Sequence, residues 1–128
     1  MTKPTIVVID DQNYVNMSIE LALSDVFSIR SFTDIPSLLV YITNKPVVSG
    51  FIIDYHIGIE SGLDLMKDKI KPLYPSIASI LISAFYYDNI PTVDQSDIRR
   101  YFDISLTKPF EIRDLKQKAL SLFKLQNA

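Results

Sequence analysis

The sequence predicts one α/β domain: a five-stranded parallel sheet with helices on both faces, a three-layer sandwich. Three observations lead there. Short β-branched runs alternate with helix-period segments along the whole chain, and that alternation calls for parallel strands joined by right-handed crossovers. Several runs are apolar throughout, the pattern of strands buried on both faces. The 128 residues, 48% of them hydrophobic, are enough for one core of ordinary domain size.

Each element has its own signal. Thr5–Ile9 is a β-branched run and the first strand. Val15, Ile19, Ala22 and Val26 then recur at helical steps, with Asp11 or Asn13 as N-cap. Phe27–Phe32 reads as the second strand. Thr33 or Asp34 caps a helix with Pro36 in its first turn and Leu38, Leu39 and Ile42 inward. The third strand, Gly50–Ile53, ends at Asp54. A loop, Tyr55–Gly62, leads into a helix carrying Leu63, Leu65, Met66 and Ile70, which Pro72 and Pro75 end. Ile77–Ile82 is the fourth strand. Residues 85–101, with Pro91 and Asp88, Asp94 and Asp97, have the weakest helical pattern. Ile104–Thr107 is the fifth strand. Glu111–Lys124 is the last helix, with Ile112, Leu115, Ala119, Leu122 and Phe123 as its buried stripe.

Composition narrows the function. The absence of cysteine excludes a disulfide framework, a zinc-thiolate site and a cysteine nucleophile. A net charge of −2 implies no general attraction to nucleic acid. The longest apolar runs, Thr5–Ile9 and Leu38–Ile42, are too short to span a bilayer, and Met1–Pro4 does not resemble a signal peptide. A cytoplasmic protein with no membrane or nucleic-acid partner is expected. The three glycines stand at 50, 58 and 62, so no glycine-rich phosphate cradle follows the first strand. Asp10-Asp11-Gln12-Asn13 follows it instead.

Open parallel sheets bind ligands beyond the carboxyl ends of their strands. Here those ends carry Asp10 and Asp11, Asp54, Ser83 and Lys108. Singly, an aspartate there is a cap or turn residue and a lysine a solvated side chain. Together they match phosphoryl transfer to a carboxylate. Clustered acids repel, by up to ~4 kcal/mol per pair about 4 Å apart, and a divalent cation with a preference for oxygen ligands relieves this. A carboxylate so held can act as nucleophile, and an ammonium and a hydroxyl can stabilise the transferring group.

The set Ile9-Asp10-Asp11, Ile53-Asp54, Ile82-Ser83-Ala84 and Thr107-Lys108-Pro109-Phe110 resembles the receiver domain of two-component response regulators in its single-domain, CheY-like form. The match runs from about Thr5 to Phe123. The resemblance implies a flavodoxin-like (βα)5 fold, with 1–128 as one receiver domain without an output domain. Asp54 would be the phosphoacceptor. Asp10, Asp11, Asp54 and the backbone carbonyl of His56 would hold Mg²⁺ or Mn²⁺. Ser83 and Lys108 would contact phosphoryl oxygens, and Pro109 would follow a cis peptide bond. The phosphodonor would be a sensor histidine kinase or a histidine phosphotransfer protein. A downstream protein would dock through residues 85–124, and the chain would be a monomer or weak dimer. It would not be an enzyme in its own right, assisting only its own phosphotransfer and dephosphorylation.

Departures from the family pattern carry further expectations. Gly58 and Ser61-Gly62 stand where the family often has proline and Asp-Gly. Ser105 replaces the usual aromatic switch residue, so output is expected through rearrangement around residues 84–101. Tyr101 and Phe102 are expected to pack in the core. His56, Ala84 and Phe85 flank the site, His56 tuning water access rather than carrying protons. Phe85-Tyr86-Tyr87 is either a local mini-core or a contact surface, and Arg99-Arg100 is too short for nucleic acid. The competing function is a phosphorylation-independent pseudo-receiver interaction module; Ser105 speaks for it and the five intact site residues against it. A flavin binder lacks its phosphate loop here. A phosphatase of the Asp-x-Asp type lacks both the motif, since the chain reads Asp54-Tyr55-His56, and a cap domain.

Overall fold

A computed structural model describes residues 2–84 and 90–125. In chain order its strands are β1 (Thr5–Ile9), β2 (Ser28–Phe32), β3 (Gly50–Asp54), the two-residue β4 (His56–Ile57) and β5 (Glu60–Ser61), β6 (Ala78–Ser83) and β7 (Ile104–Thr107). The central sheet takes five of them in the order β2-β1-β3-β6-β7. Every pairing in it is parallel, with Val8 opposite Ile52 and Ile53 opposite Leu81. The chain leaves β1 for one neighbour and returns on its other side as β3, so the strand order reverses between β1 and β3. Such a reversal opens a crevice at the carboxyl edge.

The two-residue period of a strand divides the core. Val7, Ile9, Phe51, Ile53 and Leu81 face α2 (Ile35–Ile42), α3 (Gly62–Leu65) and α4 (Thr92–Tyr101). Ile6, Val8, Ile52, Ile80 and Ile82 face α1 (Asn13–Leu23) and α5 (Ile112–Leu125). Burying one such side chain contributes about 1.5–3 kcal/mol. On the second face Phe27 meets Phe123 edge-on, with ring centroids 6.1 Å apart.

Most boundaries follow the sequence pattern, with physical reasons where they do not. Asp34 is the cap of α2, accepting from the Ser37 amide at 2.8 Å. The N-cap of α1 is Gln12 rather than Asp11 or Asn13, and its side chain makes no cap bond; the Asp10 carboxylate takes the Gln12 amide instead, at 2.9 Å. Helix α1 stops at Leu23, because the amides of Val26 and Phe27 turn back onto the Leu23 carbonyl. Val26 therefore lies beyond the helix, and Leu23 fills the buried position. In α5, Leu115, Ala119 and Phe123 are fully buried, whereas Ile112 is 39% exposed and Leu122 only half-buried. Phe102 is buried in the core as expected and Tyr101 packs against it.

Two features are unanticipated. Within Tyr55–Gly62, β4 and β5 pair as a small antiparallel hairpin. The helix begun at α3 continues as π-helical turns over Met66–Ile70. The segment with the weakest helical pattern forms α4 in its second half, while Phe85, Tyr86, Tyr87 and Asp88 lie outside the described residues.

Candidate functional site

Because β1, β3, β6 and β7 run parallel, the residues that end them share one edge. Asp10 and Asp54 are almost sealed from solvent, 1% and 6% exposed, while Asp11 is exposed. One carboxylate oxygen from each of the three lies within 4.8 Å of the others. Lys108 bridges two of them, its Nζ 2.7 Å from Asp10 Oδ2 and 3.3 Å from Asp54 Oδ2. Ser83 is buried at the end of β6, and its carbonyl accepts the Lys108 amide at 2.7 Å, which fixes where the lysine departs from β7. The Lys108–Pro109 peptide is cis, as expected.

The electrostatics follow from that packing. Burial and the neighbouring Asp10 charge, with Asp11 adding less, push the Asp54 carboxyl up to about 6 against the pull of Lys108. Burial works against the Lys108 ammonium, but the bonds and charges of Asp10 and Asp54 more than offset it, so its pKa is raised and it stays charged. Two buried carboxylates and the exposed Asp11 thus share this edge with the Lys108 ammonium. Such a donor set fits a hard divalent cation, Mg²⁺ or Mn²⁺, which prefers carboxylate oxygens.

The backbone that presents these groups is tightly specified. A Cβ at Gly62 would lie 1.9 Å from the Asp54 carbonyl oxygen, so only glycine lets the start of α3 pass the end of β3. Gly58 sits at the hairpin tip with φ +64°, in the left-handed region, and its amide donates to Asp11 Oδ2 at 3.2 Å. His56 lies on β4 with its side chain exposed, its ring against Tyr55 at 4.7 Å. Ala84 is exposed just past β6, and Phe85 lies outside the described residues. Ser105 is exposed on β7 opposite Leu81. It is away from the strand end that carries Lys108.

Two supporting residues are missed by the sequence reading. Asn16 is 1% exposed, and its Nδ2 donates to the carbonyls of Asp10 at 3.0 Å and Phe32 at 2.9 Å, tying the ends of β1 and β2 together. A polar residue in step with Ile19 and Leu23 is the available signal. Tyr55 is 6% exposed; its amide donates to the Ile82 carbonyl at 2.8 Å and its hydroxyl donates to Asp94 Oδ2. Burial first, and then the bond to Asp94, raises its pKa and keeps that hydroxyl protonated. Nothing in the sequence pairs two residues so far apart. Beside Lys108 a groove of about 410 Å³ is lined by Tyr14, Val15, Ser18, Pro109, Phe110 and Ile112. Among the described residues no helix is long and apolar enough to cross a membrane.

No family model matches the chain, and no curated protein matches it. Solved structures do. The chain superposes on the beryllofluoride-activated receiver domain of DrrB, a Thermotoga maritima response regulator, with a TM-score of 0.78 at 18% identity, covering 94% of this chain and 97% of that one. The Vibrio cholerae chemotaxis protein CheY4 gives 0.79 at 13% identity, covering 94% and 99%. A chain described as adenylate cyclase from Rhodopirellula baltica gives 0.82 at 17% identity, covering 98% and 90%. The chain has the fold of response-regulator receiver domains, with an acidic cluster at the carboxyl edge of its sheet.

Proposed function

We propose that the chain is a phosphorylation-controlled signalling switch of the cytoplasm, in which Asp54 accepts a phosphoryl group from a phosphohistidine on a kinase or phosphotransfer protein. The observation that carries this reading is the cluster of Asp10, Asp11 and Asp54 with Lys108 reaching two of its members. Asp10, Asp11, Asp54 and the His56 carbonyl would hold Mg²⁺ or Mn²⁺, which when bound supplies positive charge to phosphoryl oxygens.

The side chains do the rest. Lys108 favours the ionised form of Asp54, the form that is nucleophilic. A carboxylate oxygen of Asp54 attacks phosphorus as the phosphorus–nitrogen bond of the donor breaks, and the imidazole leaves with the bonding pair. Ser83 and Lys108 stand at adjoining strand ends, where a hydroxyl and an ammonium can take up charge on the transferring oxygens. The exposed His56 flanks the site without an acid–base role. The reaction serves this chain's own modification, so the protein is a regulatory phosphoacceptor rather than an enzyme, and residues 1–128 form one receiver domain.

The donor is proposed to approach beside Lys108, where exposed Tyr14 lines the groove and Met17 and Leu21 are exposed further along α1. The output is proposed to run through rearrangement around residues 84–101, toward a downstream protein contacting the 85–124 side. Ser105 is small and exposed, which favours one second reading, a phosphorylation-independent interaction module. Intact mass after incubation with Mg²⁺ and a small phosphodonor decides between them. One phosphoryl adduct is expected on the native protein and none on Asp54→Asn; a native protein that folds and binds the metal yet stays unmodified overturns the switch and favours the second reading.

A further inference from the structure

Helix α4 is lightly anchored. Ile98 is its one fully buried residue, and Val93, Arg99 and Arg100 face solvent. Its polar ties to the site side of the molecule differ in kind. Lys67 approaches Asp97 at 3.6 Å, a long contact from an exposed lysine to a half-buried carboxylate, and such pairs near the surface contribute little. The tie through Tyr55 is shielded from water at its tyrosine end. Tyr55 follows Asp54 directly in the chain, is nearly sealed from solvent, and donates its hydroxyl to Asp94 in the first turn of α4.

The ring has little freedom to absorb a displacement. Its amide is held by the Ile82 carbonyl at 2.8 Å, one residue before Ser83, and its own carbonyl accepts the Gly62 amide at 2.8 Å. His56 packs against its edge. A shift at the end of β3 therefore reaches α4 through one peptide, one rigid ring and one hydrogen bond. A lightly buried helix is the kind of element whose seat a single bond can bias.

We propose that Tyr55 is a positioning residue that couples the chemical state of Asp54 to the seat of α4 through its bond to Asp94. The proposal rests on the reading of Asp54 as phosphoacceptor and names the route by which that site acts on the helix. The surface that changes is the solvent face of α4, with Val93, Arg99 and Arg100.

The test is amide hydrogen exchange across residues 92–101 with and without Mg²⁺ and beryllofluoride, a phosphoryl mimic, while adduct formation is followed separately by fluorine NMR. The native protein, Tyr55→Phe, Asp94→Ala and Asp94→Asn are compared. In the native protein the adduct should change exchange in α4 by about tenfold, the scale of one hydrogen bond to a charged acceptor. Tyr55→Phe and Asp94→Ala should form the adduct while the α4 response falls to about twofold or less, and Asp94→Asn, which keeps an acceptor oxygen, should retain most of it. A merely structural tie would alter basal exchange in both states and leave their ratio unchanged. By reciprocity, breaking the tie should also change beryllofluoride affinity by the factor lost from the helix response. An unchanged ratio in the two variants with the adduct formed overturns the tether alone. A native protein that forms no adduct overturns the phosphoacceptor reading, and the coupling with it. Asp94 is only half-buried on its helix, so Asp94→Ala decides the matter if Tyr55→Phe does not fold.

Discussion

Replacing Asp54 with asparagine should stabilise the metal-free protein, and the gain should grow with pH. The carboxyl of Asp54 titrates near 6 in the folded chain, against 3.8 as the ordinary value, chiefly because it is buried and faces Asp10. A folded-state pKa raised above the unfolded one means that the fold favours the protonated acid. That contribution is complete below about pH 4 and is lost as pH rises through 6. The two values lie roughly two pH units apart, and at about 1.4 kcal/mol each the cost of ionised Asp54 at pH 8 approaches 3 kcal/mol. The asparagine side chain has no charge to desolvate, and Lys108 keeps its 2.7 Å partner Asp10. In a chelator, urea unfolding should find Asp54→Asn about 3 kcal/mol more stable than native at pH 8, on the order of 10 °C in Tm. At pH 4 the difference should nearly vanish. Millimolar Mg²⁺ should narrow the gap at pH 8 by binding the native protein more tightly than the variant, which lacks one of the candidate carboxylate ligands. Equal stabilities at pH 8 in chelator would refute the electrostatic account of the site.

Two other substitutions probe the same edge. Gly62→Ala should destabilise by about 3 kcal/mol, the upper end for overpacking, because the new methyl meets the Asp54 carbonyl oxygen, which is backbone and cannot step aside; urea unfolding measures it, and weaker Mg²⁺ binding should accompany it. Lys108→Met should cost on the order of 3 kcal/mol at pH 8 in chelator by leaving Asp10 and Asp54 without their ammonium. Added Mg²⁺ should stabilise that variant more than the native protein, and thermal melts with and without the ion check it.

The sheet and the clustered residues of the candidate site are legible for one reason. Strands buried on both faces must be apolar throughout, so Thr5–Ile9 and Gly50–Ile53 stand out, and polar residues that end such runs fall on one edge. What stays hidden depends on contacts between distant segments. The Tyr55 hydroxyl and Asp94 are joined only after α4 packs beside the site. Asn16 looks like an ordinary polar residue until its amide is found spanning Asp10 and Phe32. The end of α1 is masked because Val26 continues the apolar rhythm while the backbone has already turned at Leu23. The hairpin His56–Ile57 with Glu60–Ser61 is too short to leave a periodic trace.

The bond from the Gly58 amide to Asp11 Oδ2 gives the hairpin a further property. Asp11 is the exposed acid of the three, and the same carboxylate is a candidate cation ligand, so a cation and the hairpin tip share one acceptor. Gly58 is thus a resident spectroscopic gauge. Its backbone amide resonance should move as the cation loads, reporting occupancy from outside the buried pocket and without a dye, a label or a partner protein.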